Sequence, residues 1–176
     1  MSSKKWRKKQ FSYMEFRMAI QIIDNFLEED EFNKLSSIIM GDNFPWYYSD
    51  NITNDEDKNN FYFIHSFYRQ HGIKSDWFNM WLSAIEKLKC KSIIRIKANN
   101  YLKSGKKQKN KLHADYTFSH KGCLLYINDN NGVTYFKDKT VTPKANRAVL
   151  FDPSVLHASS LCDDKKRRVT VNFNYF

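Results

Sequence analysis

Apolar residues recur along the chain in two rhythms. In "FRMAIQIIDNFL", Phe16 to Leu27, β-branched and aromatic residues crowd together, which reads as a strand ending at Asp24-Asn25. The next stretch, "EEDEFNKLSSIIM", places Phe32, Leu35, Ile38 and Ile39 at helical spacing. Its acids fall in the first turn, where the helix dipole favours them. "FPWYYS" and "FYFIHSFY" read as strands separated by the polar loop Asp50 to Asn60. "SDWFNMWLSAIEKLK" opens on Ser75 as N-cap, and Trp77, Trp81, Ile85 and Leu88 make a helical apolar face suited to core packing.

From Ser92 the rhythm shortens. "SIIRIKANNYL", "GCLLYIN", "GVTYFKD", "RAVLFDP" and "RVTVNFNYF" are short β-type runs. Turn chemistry separates them at Ser104-Gly105, Asp129-Asn130-Asn131-Gly132, Pro143 and Asp152-Pro153. Short strands at near-regular spacing predict a sandwich or barrel. The expected class is therefore α+β and mainly β. A mixed N-terminal half, residues 10–91, supports a β-rich half, residues 92–176, in one domain behind a basic flexible tail, residues 1–9.

Composition agrees with a folded β-rich chain: 41% of residues are hydrophobic, and 14 Phe and 10 Tyr stand beside 5 Gly. Charge adds a question. The formal net charge is +10, gathered in "KKWRKK" (Lys4 to Lys9), "KSGKKQKNK" (Lys103 to Lys111) and "KKRR" (Lys165 to Arg168). Such runs are ordinarily solvated surface, yet they attract polyanions, so a nucleic-acid partner stays open. Cys90, Cys123 and Cys162 are odd in number and lack C-x-x-C spacing, which argues against a disulfide framework or a cysteine zinc site. No apolar run reaches membrane-spanning length and no signal peptide follows the basic start, so the expected location is cytoplasmic, with no membrane partner.

The candidate chemistry lies in "KLHADYTFSH". In a strand, residues two apart face the same side, so His113 and Asp115 can offer a nitrogen and an oxygen to one metal. A second histidine would complete the two-His, one-carboxylate set that suits non-haem Fe(II). His157, in "DPSVLHASS", is the leading candidate. His65 lies inside an aromatic run, His71 in a polar turn and His120 at a strand end. Arg168 opens the last strand, where a planar guanidinium suits a carboxylate. Arg167 is its immediate rival, because one residue of register reverses which of them points inward.

From about Ile94 to Phe176 the chain resembles the Fe(II)/2-oxoglutarate-dependent dioxygenases, in their prolyl 4-hydroxylase-like branch. The resemblance is carried by "NNYL", "LHADY", "LLYIND", "NGVTYF", "PKANRAVLFDPSVLHA" and "RRVTVNFNYF" in that order, with "IIDNFLEEDEFNKL" similar to the family's opening strand and first helix. It implies a double-stranded β-helix (jelly-roll, cupin-like) core and iron ligands at His113, Asp115 and His157. Arg168 would anchor the far carboxylate of 2-oxoglutarate, with Asn172 as a small polar partner; Tyr101, Tyr126 and Thr134 would line the cosubstrate pocket. The implied cofactors are Fe(II), 2-oxoglutarate and O2. The implied reaction hydroxylates a C–H bond and releases succinate and CO2. The chain departs from the family pattern at Asn131-Gly132, where Gly-Gly is usual, and at Asn174, where tryptophan is usual.

A prolyl or other protein residue is the expected substrate, and an AlkB-like reaction on nucleic acid is the alternative. A non-catalytic cupin-like binding protein would not need Arg168 opposite the metal. A zinc hydrolase would need a general base near the metal, and no glutamate lies close to the motif in sequence.

Overall fold

The computed structural model describes residues 20–50 and 61–176. The basic tail, the start of the first expected strand and nearly all of the loop after Asp50 lie outside the described residues.

The first strand, β1 (Gln21–Ile23), gives way at Asp24, and Asn25 takes a left-handed φ of 51°. Asparagine tolerates that conformation better than most side chains, so the turn into the first helix costs little. Helix α1 (Glu29–Met40) carries Glu29, Asp30 and Glu31 in its first turn and buries Phe32, Leu35 and Ile39. Strands β2 (Tyr47–Ser49), β3 (Tyr62–Arg69) and β4 (Gly72–Ile73) follow.

Ser75 caps the next segment by accepting from the Trp77 amide at 3.1 Å. The segment is not one α-helix, however. Asp76–Trp81 forms a 3-10 helix, and only Leu82–Lys87 is α-helical (α2). With about 3.0 residues per turn, positions four apart no longer share a face. Trp77 is therefore left 40% exposed while Trp81 is fully buried, and the expected four-residue apolar face loses its first member.

The β-rich half contributes β5 (Ile93–Leu102), β6 (Lys121–Tyr126), β7 (Thr134–Tyr135), β8 (Thr140–Val141), β9 (Arg147–Phe151), β10 (Ala158–Ser159) and β11 (Arg167–Tyr175). An antiparallel sheet runs in the order β1-β9-β6-β11-β5-β3-β2, with β4 paired to β3, and a small sheet runs β10-β7-β8. The last strand thus lies in the middle of the large sheet, between β5 and β6.

Alternation along these strands sorts side chains to two faces. One face carries Phe67, Ile96, Ala98, Leu125, Val169, Val171 and Phe173, packed with Phe32, Leu35 and Ile39 of α1 and with Trp81 and Ala84. The other carries Leu124, Tyr126, Val149 and Phe151, packed with Val141 of the small sheet. Two facing antiparallel sheets form the double-stranded β-helix core that the resemblance implies. The space between them is where the polar residues of β5 and β11 point.

Candidate active site

His113 and His157 are neighbours across a backbone bridge. The His113 amide donates to the His157 carbonyl at 2.9 Å, and the His157 amide donates back to His113 at the same distance. Residues paired in this way carry their side chains on the same face. Asp115 follows two residues on, and its amide is tied to the Pro153 carbonyl at 2.8 Å. The three residues each offer a ligand atom, all within 4.8 Å of one another. Among the described residues this is the cluster able to hold a metal ion.

Tautomers favour the same reading. His157 Nδ1 lies 2.9 Å from the Val155 carbonyl. A carbonyl only accepts, so Nδ1 carries the proton and Nε2 keeps its lone pair for a cation. Burial, with His157 beside it, holds the His113 imidazole pKa down to about 4, against the opposing pull of Asp115. Burial pushes the Asp115 carboxyl up, but the Arg95 guanidinium, the Asn174 amide and the two histidines outweigh it and bring it down to about 2. Two imidazole nitrogens and an ionised carboxylate are a donor set that fits Fe(II).

Asp115 Oδ2 is held from behind. Arg95 donates to it at 2.9 Å and Asn174 donates to it at 2.9 Å, while Oδ1 lies on the His113 side, 3.9 Å from Nε2. Asn174 also faces His120 Nε2 at 2.8 Å. His120 is therefore a support of the support, outside the ligand cluster. His65 lies on the helix-packed face, bonded to the Pro45 carbonyl and the Ser75 hydroxyl, each at 2.7 Å.

A cavity runs from the two histidines to Arg168, and Tyr101, Leu124, Thr134, Phe151, Thr170 and Asn172 contribute to its walls. Arg168 is 1% exposed. It donates to the Ser160 carbonyl at 3.2 Å and to the Thr134 hydroxyl at 2.9 Å. Its Nε has no partner among the described residues, nor does any carboxylate there pair with it. Its guanidinium lies 5.5 Å from the Tyr101 ring centre and 5.7 Å from that of Tyr126. A buried cation without an anion is costly, and a carboxylate-bearing ligand such as 2-oxoglutarate would fit this end of the cavity.

The remaining expected positions fall as follows. Tyr126 is fully buried behind Thr134, hydroxyl to hydroxyl at 2.7 Å. Asn172 accepts from Asn99 at 3.2 Å, nearer the metal cluster along β11 than Arg168 is. Arg167 points the other way and donates to the Met40 carbonyl. Arg95, Asn174 and His120 were not expected from the sequence. The alternation that brings Arg168, Thr170 and Asn172 inward also brings Asn174 inward, and the same count back from Tyr101 reaches Asn99, Lys97 and Arg95.

No family model matches the chain, and no curated protein is similar to it in sequence. Solved structures do match. An oxidoreductase of the 2-oxoglutarate–Fe(II) oxygenase family from Burkholderia pseudomallei superposes with a TM-score of 0.66 at 8% identity, over 95% of this chain and 89% of that one. A prolyl hydroxylase from Trichoplax adhaerens, solved with a hypoxia-inducible-factor peptide fragment, gives 0.64 at 14% identity over 100% and 94%. A viral collagen prolyl hydroxylase from Paramecium bursaria Chlorella virus-1, solved with 2-oxoglutarate, gives 0.57 at 14% over 88% and 93%. The fold of this chain is the one these oxygenases share. Among the described residues no helix is long and apolar enough to cross a membrane.

Proposed function

We propose that this protein is an Fe(II)- and 2-oxoglutarate-dependent dioxygenase that hydroxylates a C–H bond of a prolyl or other peptide residue. The observation that carries this reading is the buried Arg168, with no carboxylate partner among the described residues, sharing one cavity with His113 and His157 of the His113–Asp115–His157 cluster. A metal-binding protein of cupin type would not need that cation, and a zinc hydrolase would need a general base near the metal. The oxygenase fold supports the same class, and the peptide bound to the Trichoplax prolyl hydroxylase supports a peptide substrate.

In this reading His113, Asp115 and His157 hold the ion, and Arg168 binds the distal carboxylate of 2-oxoglutarate. Bound iron, with the cosubstrate and O2, supplies the oxidising chemistry that yields succinate, CO2 and the hydroxylated product. The chain itself supplies orientation. Arg95 and Asn174 fix one oxygen of Asp115 and leave the other for the ion. Thr134 and Ser160 fix the guanidinium. Leu124 and Phe151 line the cavity with apolar surface that limits water.

Anaerobic addition of Fe(II) and 2-oxoglutarate to the metal-free protein should give the visible charge-transfer band of the chelate. His113→Ala and Asp115→Ala should each abolish it. Arg168→Ala should raise the 2-oxoglutarate concentration needed for half the band by at least about tenfold while leaving iron binding nearly intact. Absence of a band with folded wild-type protein would overturn the proposal. A larger effect from Arg167→Ala than from Arg168→Ala would overturn the assigned anchor.

A further inference from the structure

Lys97 is a lysine on the inner face of β5, between Arg95, which holds Asp115, and Asn99, which holds Asn172. It is partly buried, and its ammonium has one acceptor among the described residues, the Tyr62 hydroxyl at 3.2 Å. Tyr62 in turn stacks on Tyr101, with ring centres 5.3 Å apart and planes at 11°. The charge of Lys97 is felt at His113. Lys97 therefore lies near the metal cluster: on the ladder it pairs with Asn172 of the cavity wall, whereas Arg168 pairs with Tyr101.

The surrounding charge is unbalanced. Arg95 and Arg69 repel the ammonium, and Asp115 is the carboxylate that attracts it. That carboxylate is already bonded to Arg95 and would be taken up further by a metal ion, whose positive charge deepens the imbalance. Burial, with Arg95 and Arg69, presses the Lys97 pKa down to about 7. A lysine kept in such a place with no carboxylate bonded to it among the described residues is a standing cost, whereas methionine or glutamine would fill the same volume without it.

We infer that Lys97 and Tyr62 form a subsite for a carboxylate of the substrate, so that the residue oxidised is itself acidic or lies next to an acidic residue. This deepens the dioxygenase reading and rests on it for the reaction, though not for the binding. The subsite is distinct from the anchor for 2-oxoglutarate: Arg168 serves the cosubstrate at one end of the cavity, and Lys97 serves the substrate beside the metal. A nucleic-acid phosphate is the less apt occupant. The lysine is sunk between strands and carries a single phenol beside it, whereas phosphate tracking uses exposed cations along a groove.

The test uses the full chain loaded with Mn(II) and 2-oxoglutarate under anaerobic conditions, so that binding is read without turnover. The probes are peptide pools with one position fixed as Asp or Glu, matched pools carrying Asn or Gln there, and N-acetylglutamate as a free acid. Wild type should bind the acidic pools at least about tenfold more tightly than the amide pools. Lys97→Met and Lys97→Gln should erase the preference. Tyr62→Phe should reduce it, and Lys97→Arg should keep part of it. Tighter binding of N-acetylglutamate than of the acidic pools would keep the carboxylate subsite but assign it to a free acid. Equal binding of acid and amide pools, a preference that survives in Lys97→Met, or Lys97-dependent competition by a single-stranded oligonucleotide would each overturn the inference. The Fe(II)–2-oxoglutarate band should still form in Lys97→Met. Loss of that band in wild type sinks the dioxygenase reading instead, and the two failures are thus told apart.

Discussion

At the residue scale, His113 and Asp115 were legible as a pair because their logic is local, whereas His157 came from a later β-type run and the resemblance. Two residues apart on an extended segment means one side, and His113-Ala114-Asp115 needs no more than that. Arg95 and Lys97 were not legible in the same way. They precede the motif, they sit in a run that reads simply as a strand, and their partners Asp115 and Tyr62 come from other segments. Lys97 also has a thermodynamic signature. An unfolded lysine holds its proton up to about pH 10.4, whereas Lys97 in the fold releases it near pH 7. Between those values the unfolded chain binds more protons, so stability rises with pH across the window and the full penalty is present below pH 7. Lys97→Met should therefore stabilise the metal-free protein by a few kcal/mol, roughly, at pH 6.5, with the gain shrinking towards zero near pH 10. Urea unfolding at a series of pH values measures this, and a gain independent of pH would rule it out.

At the element scale, long strands, α1 and the short β7 within "GVTYFKD" followed from pattern, whereas the two-residue strands β4, β8 and β10 did not. β8 and β10 are too short to show a period, and they form only because β7 lies between them. The segment Asp76–Trp81 was misjudged for another reason: a 3-10 turn and an α turn share the same capping serine and the same apolar content. Two glycines tune the ends of the cavity by close approach. A Cβ on Gly122 would stand 2.2 Å from Pro153 Cγ, and Pro153 is the residue whose carbonyl ties down the Asp115 amide. A Cβ on Gly132 would stand 2.8 Å from Arg168 Cδ and 3.1 Å from the Ser160 carbonyl. Gly122→Ala should accordingly weaken metal binding first, and Gly132→Ala should weaken 2-oxoglutarate binding first. Titrating each ligand separately by calorimetry distinguishes them, and the same ligand being affected in both variants would contradict the assignment.

At the scale of the whole molecule, the resemblance covered the C-terminal half, but the sheet does not respect that division. β1 pairs with β9, and β3 pairs with β5, so the supporting half supplies strands to the same sheet that carries the site. Tyr62, on β3, is the clearest case: a residue from outside the recognised region stands against Tyr101 inside it. The net charge of +10 belongs to this scale too. Binding of the chain to a generic DNA duplex should weaken steeply with salt, as counterion release requires. If the attraction comes from surface charge alone, removing residues 1–9 should flatten that slope and leave the Fe(II)–2-oxoglutarate band untouched. Loss of the band on truncation would instead tie the basic start of the chain to the cavity.

The reciprocal bonds between His113 and His157 have a consequence for endurance as well as for chemistry. An ion held by both side chains would staple two segments that the backbone already joins, and the chain between them would become a closed loop containing β6 to β9. That loop includes Thr134, and Ser160 lies just beyond its end; both hold Arg168 in place. Removing the ion would thus slacken the far end of the cavity along with the near one. Resistance to unfolding and readiness to accept the cosubstrate become a single property of the loaded protein.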